Sequence, residues 1–145
     1  MLNPVAYVLE GLAPVAKHDT FLTDLKIRNH MAMTNLTQGK ATRDDMDDLI
    51  AMGNAVEALY RLGFGAEYKD VVGLGIESIL NVARRGAAAN HFILNAQEMN
   101  ALNNLMELHD AQMEIITVKD MERAMKLMEE EYRKGRMTPI VRTKK

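Results

Sequence analysis

The chain has 145 residues, no cysteine and a formal net charge of −2. That length suits one domain with its own core, and near-neutrality gives no bulk attraction to nucleic acid or to a membrane surface. The lack of cysteine excludes disulfides, thiolate nucleophiles and Cys-based zinc sites, and it fits a reducing cytoplasm.

The first fifteen residues or so are apolar, but they lack a basic n-region and carry Glu10, so no signal peptide is expected. Asn3-Pro4 is a helix opening, a cap followed by proline at the first helical position. A short helix to about Leu12 follows, limited by Pro14. Asp19 or Thr20 opens the next predicted helix, which runs to about Gln38 with Gly39 as its terminating glycine. Leu22, Leu25, Asn29, Ala32 and Leu36 form its apolar stripe, and Ile27 and Met31 form a second, narrower one. Asn29 within the stripe reads either as a buried, hydrogen-bonded side chain that fixes packing or as a ligand contact.

Thr42 and Asp45 cap the third predicted helix. Asp44, Asp45, Asp47 and Asp48 crowd its first turns, where carboxylates meet the positive end of the helix dipole. The plainer reading is a solvated acidic face, the sharper one a metal site or partner surface. Gly63 and Gly65 end this helix around Phe64. The fourth predicted helix runs from about Ala66 to Arg85 and closes at Gly86. Gly73 and Gly75 cost it on the order of 1 kcal/mol each relative to Ala, which suggests close packing or a local kink. No strand precedes these glycines and Ser78 stands where a third glycine belongs, so they form no nucleotide loop.

Asn95 and Glu98 make a capping box, and Met99, Leu102, Met106, His109, Met113 and Ile116 follow at alternating steps of three and four. Thr117 and Asp120 repeat the cap, and Val118, Met121, Met125, Met128 and Tyr132 make a second stripe. The step of two from Ile116 to Val118 breaks the phase, so two helices with a break near Thr117 are predicted. This pair is expected to organise the chain. Its methionines read as core, or as an adaptable binding seam.

The predicted architecture is therefore all-α: a compact bundle of five or six helices with short loops over residues 1–135, and a basic, flexible C-terminal tail over 136–145. No apolar run approaches the roughly 18 residues that span a bilayer. HExxH, EF-hand and P-loop patterns are absent, and the single serine, Ser78, sits inside a predicted helix. No catalytic residue, metal site or cofactor is expected.

Several segments resemble a family of small helical proteins, mostly uncharacterised, from phages, prophages and mobile elements of proteobacteria. They are Lys26-Ile-Arg-Asn-His30, Gly39-Lys-Ala-Thr-Arg43, Ala83-Arg-Arg-Gly86 and the run from Leu94 to Met128, with Glu107-Leu-His-Asp-Ala-Gln112 and Thr117-Val-Lys-Asp-Met-Glu-Arg-Ala124. The resemblance carries no functional residues. It implies only a context, a small phage-borne accessory protein in the bacterial cytoplasm, and many such proteins work by binding a host protein.

The leading expectation is thus a non-catalytic protein–protein interaction factor that modulates a host or defence protein. Its partner-binding residues would be Met99, Met106, His109, Met113, Met121, Met125 and Met128, with a homo-oligomer through the same Met-rich face as a further expectation. The runner-up is a DNA- or RNA-binding accessory protein that uses Arg84, Arg85, Arg133, Lys134, Arg136 and Arg142. A third reading is an enzyme with an unfamiliar site around His30, His109 and Asp110.

Overall fold

Three capping boxes set the frame. In the computed structural model, which describes residues 19–136 and their side chains from residue 23 onward, Thr42, Asn95 and Thr117 each accept from the backbone N–H three residues on, while Asp45, Glu98 and Asp120 accept the N–H of the cap. The described residues form α1 (Asp19–Thr37), α2 (Arg43–Arg61), a 3-10 turn (Ala66–Tyr68), α3 (Lys69–Gly86), α4 (Ala96–Ile115) and α5 (Val118–Arg133). The all-α architecture is as the periodicity predicts. The helix predicted for Asn3 to Leu12 and most of the basic tail, Arg142 included, lie outside the described residues.

The loops close where the glycines stand. α1 ends with Gly39 in the left-handed region at φ +73°, its N–H donating to Leu36 O while Lys40 N–H donates to Asn35 O. That pair of bonds satisfies the last carbonyls of the helix. Gly63 (φ +102°) and Gly65 (φ +84°) turn the chain from α2 into α3. The predicted fourth helix starts as a tighter 3-10 turn and becomes α-helical only at Lys69.

The organising element is α2, not the α4–α5 pair. It packs against all four other helices, and Met46, Leu49, Ile50, Met52, Val56, Ala58 and Leu59 are buried along it. Gly53 lets α3 approach, since a Cβ there would stand 3.2 Å from Ile79 Cδ1. Between α3 and α4 the same role falls to Gly75, whose absent Cβ would lie 2.8 Å from Leu105 Cβ. Gln112 of α4 donates through Nε2 to Phe64 O at 3.1 Å and Val56 O at 3.3 Å, pinning α4 to the end of α2.

A main core joins α1 to α4 through Leu36, Met46, Leu49, Ile79, Val82, Phe92, Leu102 and Leu105. A smaller cluster of Ala58, Leu59, Met113, Ile116 and Ala124 seats α5 on α2. The break at Thr117 is present: Ile116 adopts an extended conformation and α5 restarts on its own cap. The predicted face of α5 is realised in part: Val118, Met121 and Met128 pack against this cluster beside the fully buried Ala124, while Met125 and Tyr132 of the predicted stripe are exposed.

The acidic run at the start of α2 is not a uniformly solvated face. Asp45 caps the helix and accepts from Asn35 Nδ2 of α1 at 3.2 Å. Asp47 is buried. Burial pushes the Asp48 carboxyl above its ordinary range, Arg28 opposes this, and the neighbouring aspartates reinforce it.

Candidate functional site: the groove between α1 and α4

α1 and α4 touch only sparsely, and the space between them is a groove of about 560 Å³. Met33 of α1 and Met99 and Met106 of α4 supply its apolar lining, while His30, Glu107 and Asp110 supply its polar end. A second hollow of about 530 Å³ continues it past the end of α1, lined by His91, Ile93 and Leu94 of the linker. The two share Thr37, Gln38 and Met99. The residues from Ala96 to Asp110 make the combined groove about 20 Å long, at 1.5 Å rise per residue.

Local sequence explains how α4 presents this wall. The Asn95–Glu98 box starts the helix, and Glu98 is then seized from outside by Arg85 in a two-pronged ion pair, Nη2 to Oε1 at 2.6 Å and Nη1 to Oε2 at 2.7 Å. The same guanidinium donates to Ile93 O at 2.8 Å. The Arg85 hydrogen bonds hold the Glu98 carboxyl below its ordinary range, against the effect of burial and helped by the Asn95 N–H. The linker and the first turn of α4 are therefore fixed to the end of α3. Phe92 is fully buried in the same place, packed over Gly86, where a Cβ would stand 2.4 Å from its ring.

At the polar end, His30 Nε2 stands 3.0 Å from Asp110 Oδ2. His109 Nδ1 approaches the other oxygen at 3.9 Å, too far for a hydrogen bond. His109 is 1% exposed and its Nδ1 has no hydrogen-bond partner. Burial raises the Asp110 carboxyl, the two imidazoles lower it further, and it settles below the ordinary range. Lys26 and Glu114, 3.5 Å apart, add an exposed ion pair between the same two helices.

The structure divides the expected partner-binding residues. Met106, His109 and Met113 are core: they are buried and present little or no surface. Met121 and Met128 are half-buried against the α5 cluster. Met99, 38% exposed, and Met125, 57% exposed, are at the surface, and only Met99 lies in the groove.

The six basic residues of the runner-up reading are also dispersed. Arg84 and Arg85 are in the last turn of α3, whereas Arg133 ends α5, which packs on α2, and Lys134 and Arg136 follow it. Arg85 is occupied by Glu98, and Arg136 Nε pairs with Glu131 at 2.8 Å. The trio of the third reading, His30, His109 and Asp110, is the one that folding brings together, although no cluster suited to a metal ion occurs among the described residues. Buried Asn29 leaves its Nδ2 without a partner, so the expected hydrogen-bonded side chain is only partly realised.

Residue-level reading missed the Arg85–Glu98 clamp. A capping glutamate thirteen residues after a basic pair is the available signal, but it requires knowing that the intervening linker doubles back. Comparison with protein-family models, curated proteins and solved structures gives no match.

Proposed function

We propose that this protein is a non-catalytic interaction factor that receives a segment of a partner protein in the groove between α1 and α4. The observation that carries the reading is the groove itself: a trough about 20 Å long between two sparsely packed helices, with the exposed Met99 lining both of its hollows. Methionine side chains are unbranched and polarisable, which suits a surface that adapts to a partner. The dimensions match the helix-in-groove mode of recognition. The resemblance to phage-borne accessory proteins makes a bacterial host protein the expected partner, with modulation of that protein as the outcome. A paired, half-exposed His30 beside a buried His109 offers a catalytic base no evident second group, which favours binding over turnover. The nucleic-acid reading is weakened by the engagement of Arg85 and Arg136 in ion pairs.

The test is a nuclease-treated pull-down from host lysate with three baits: the native chain, Met99→Glu and Met125→Glu. A protein retained by the native chain and by Met125→Glu, but lost with Met99→Glu, supports the groove. Equal retention by Met99→Glu excludes it. Material that disappears on nuclease treatment revives the basic residues.

A further inference from the structure

The groove is chemically polarised along its length. Beside the end of α1, Ile93, Leu94 and Met99 supply apolar surface among neutral polar groups and His91, and no carboxylate lines it. At the other end stand Glu107 and Asp110, three residues apart on one face of α4. Glu107 is exposed and has no ion pair among the described residues. Asp110 is steadied by His30 on one oxygen and faces the unpartnered Nδ1 of His109 on the other. At this end of the groove one exposed imidazole, His30, therefore answers two carboxylates, while His91 stands in the other hollow. Of the other cations on α1, Arg28 acts on Asp48 of α2 and Lys26 is paired with Glu114.

From this polarity we infer that the partner segment is an amphipathic helix carrying a lysine or arginine, whose cation sits between Glu107 and Asp110 while its apolar face lies on Ile93, Leu94 and Met99. The inference rests on the groove reading above and adds the partner's charge and form. A helix of about 14 residues fills the length of the trough. An extended strand is disfavoured because both walls are helices, whose backbone groups are already paired and offer it no edge. The incoming cation competes with His30 for Asp110 and meets an unpaired Glu107, so its contribution is that of a partly exposed ion pair. That is worth up to about a fivefold change in affinity.

The probe is a pair of labelled 14-residue peptides, each with leucine or methionine at positions 4, 7, 8 and 11, one with lysine at both ends and one with glutamate at both ends. Symmetric ends make the result independent of binding direction. Fluorescence anisotropy is read on the native protein and on Glu107→Gln, Glu129→Gln and Met99→Glu. The lysine peptide should bind about threefold to fivefold more tightly than the glutamate peptide. That ratio should fall towards one in Glu107→Gln and persist in Glu129→Gln, whose altered residue lies on α5. Met99→Glu should weaken both peptides. Equal binding of the two peptides to the native protein, with loss of both in Met99→Glu, overturns the cation site and leaves the groove standing. Binding that ignores Met99→Glu, or no binding of either peptide, overturns both.

Discussion

Three glycines of similar appearance in α3 face three different surroundings. A Cβ on Gly73 meets nothing within 4 Å, one on Gly75 meets the Leu105 side chain at its root, and one on Gly86 meets Phe92 at 2.4 Å and the His91 carbonyl at 2.5 Å. Gly73→Ala should therefore gain about 0.5–1 kcal/mol from helix propensity alone. In Gly75→Ala the same gain is outweighed by overpacking, for a net loss of about 1 kcal/mol. Gly86→Ala should cost about 2 kcal/mol or more, because a backbone carbonyl cannot rotate away as a side-chain tip can. Urea midpoints of the three variants check the order, and a destabilised Gly73→Ala would contradict the open surface assigned to it.

The Arg85–Glu98 pair gives a pH-dependent counterpart. The Glu98 carboxyl is depressed in the fold, so its contribution is complete above the ordinary glutamate range, about 4.3, and is lost as pH falls through the lower folded value. Arg85→Ala should cost about 1.5 kcal/mol at neutral pH, a charge-assisted bond discounted because Arg85 itself is half-exposed. That deficit should narrow in acid, where Glu98 is protonated in either protein. A deficit that does not change between pH 7 and pH 3 would assign the loss to the Ile93 carbonyl contact alone.

The tandem caps make an equally local claim at the level of the helix. Thr117→Ala removes the acceptor for Asp120 N–H and should cost about 1 kcal/mol. Amide exchange should accelerate first in the opening turn of α5, with α4 unaffected; uniform acceleration through both helices would mean that the break at Ile116 is not an independent boundary. These boundaries were legible in the sequence because a capping box is a bond between residues three apart, and nothing distant has to be known. The inner face of α5 was legible only in part. Of its predicted stripe Val118, Met121 and Met128 pack inward, whereas Met125 and Tyr132 are exposed and the fully buried position is Ala124. Local hydrophobicity ranks methionine above alanine and does not mark Ala124 as the buried position. The central place of α2 was hidden for a similar reason: contact with four helices is a property of the assembly, whereas the doubled cap of α4 and α5 stands out in a linear reading. Of the groove, Met99, Met106, His30 and Asp110 were each noted from sequence, but no spacing rule places His30 beside a residue eighty positions away.

Across the described residues the methionines range from exposed to fully buried, and their oxidation separates the two extremes. Thioether oxidation follows solvent access and turns an apolar side chain into a polar one. Met31 (59% exposed), Met125 (57%) and Met99 (38%) lie at the surface, whereas Met33, Met46, Met52, Met106 and Met113 are buried. Under mild peroxide the folded protein should, among the described methionines, acquire sulfoxide first at Met31, Met125 and Met99, as read by peptide mass spectrometry, with its helical circular dichroism unchanged. The buried five should react only on the timescale of unfolding, so their rates should rise steeply with urea while those of the exposed three barely move. Adding the lysine-ended peptide should slow oxidation of Met99 and leave Met31 and Met125 untouched, since neither of these lines the groove. Oxidation of Met106 or Met113 as fast as Met99 in the native protein would mean that the α4 stripe is an open seam and not the core of the bundle. Protection of Met125 by the peptide would move the binding face from the α1–α4 groove to α5.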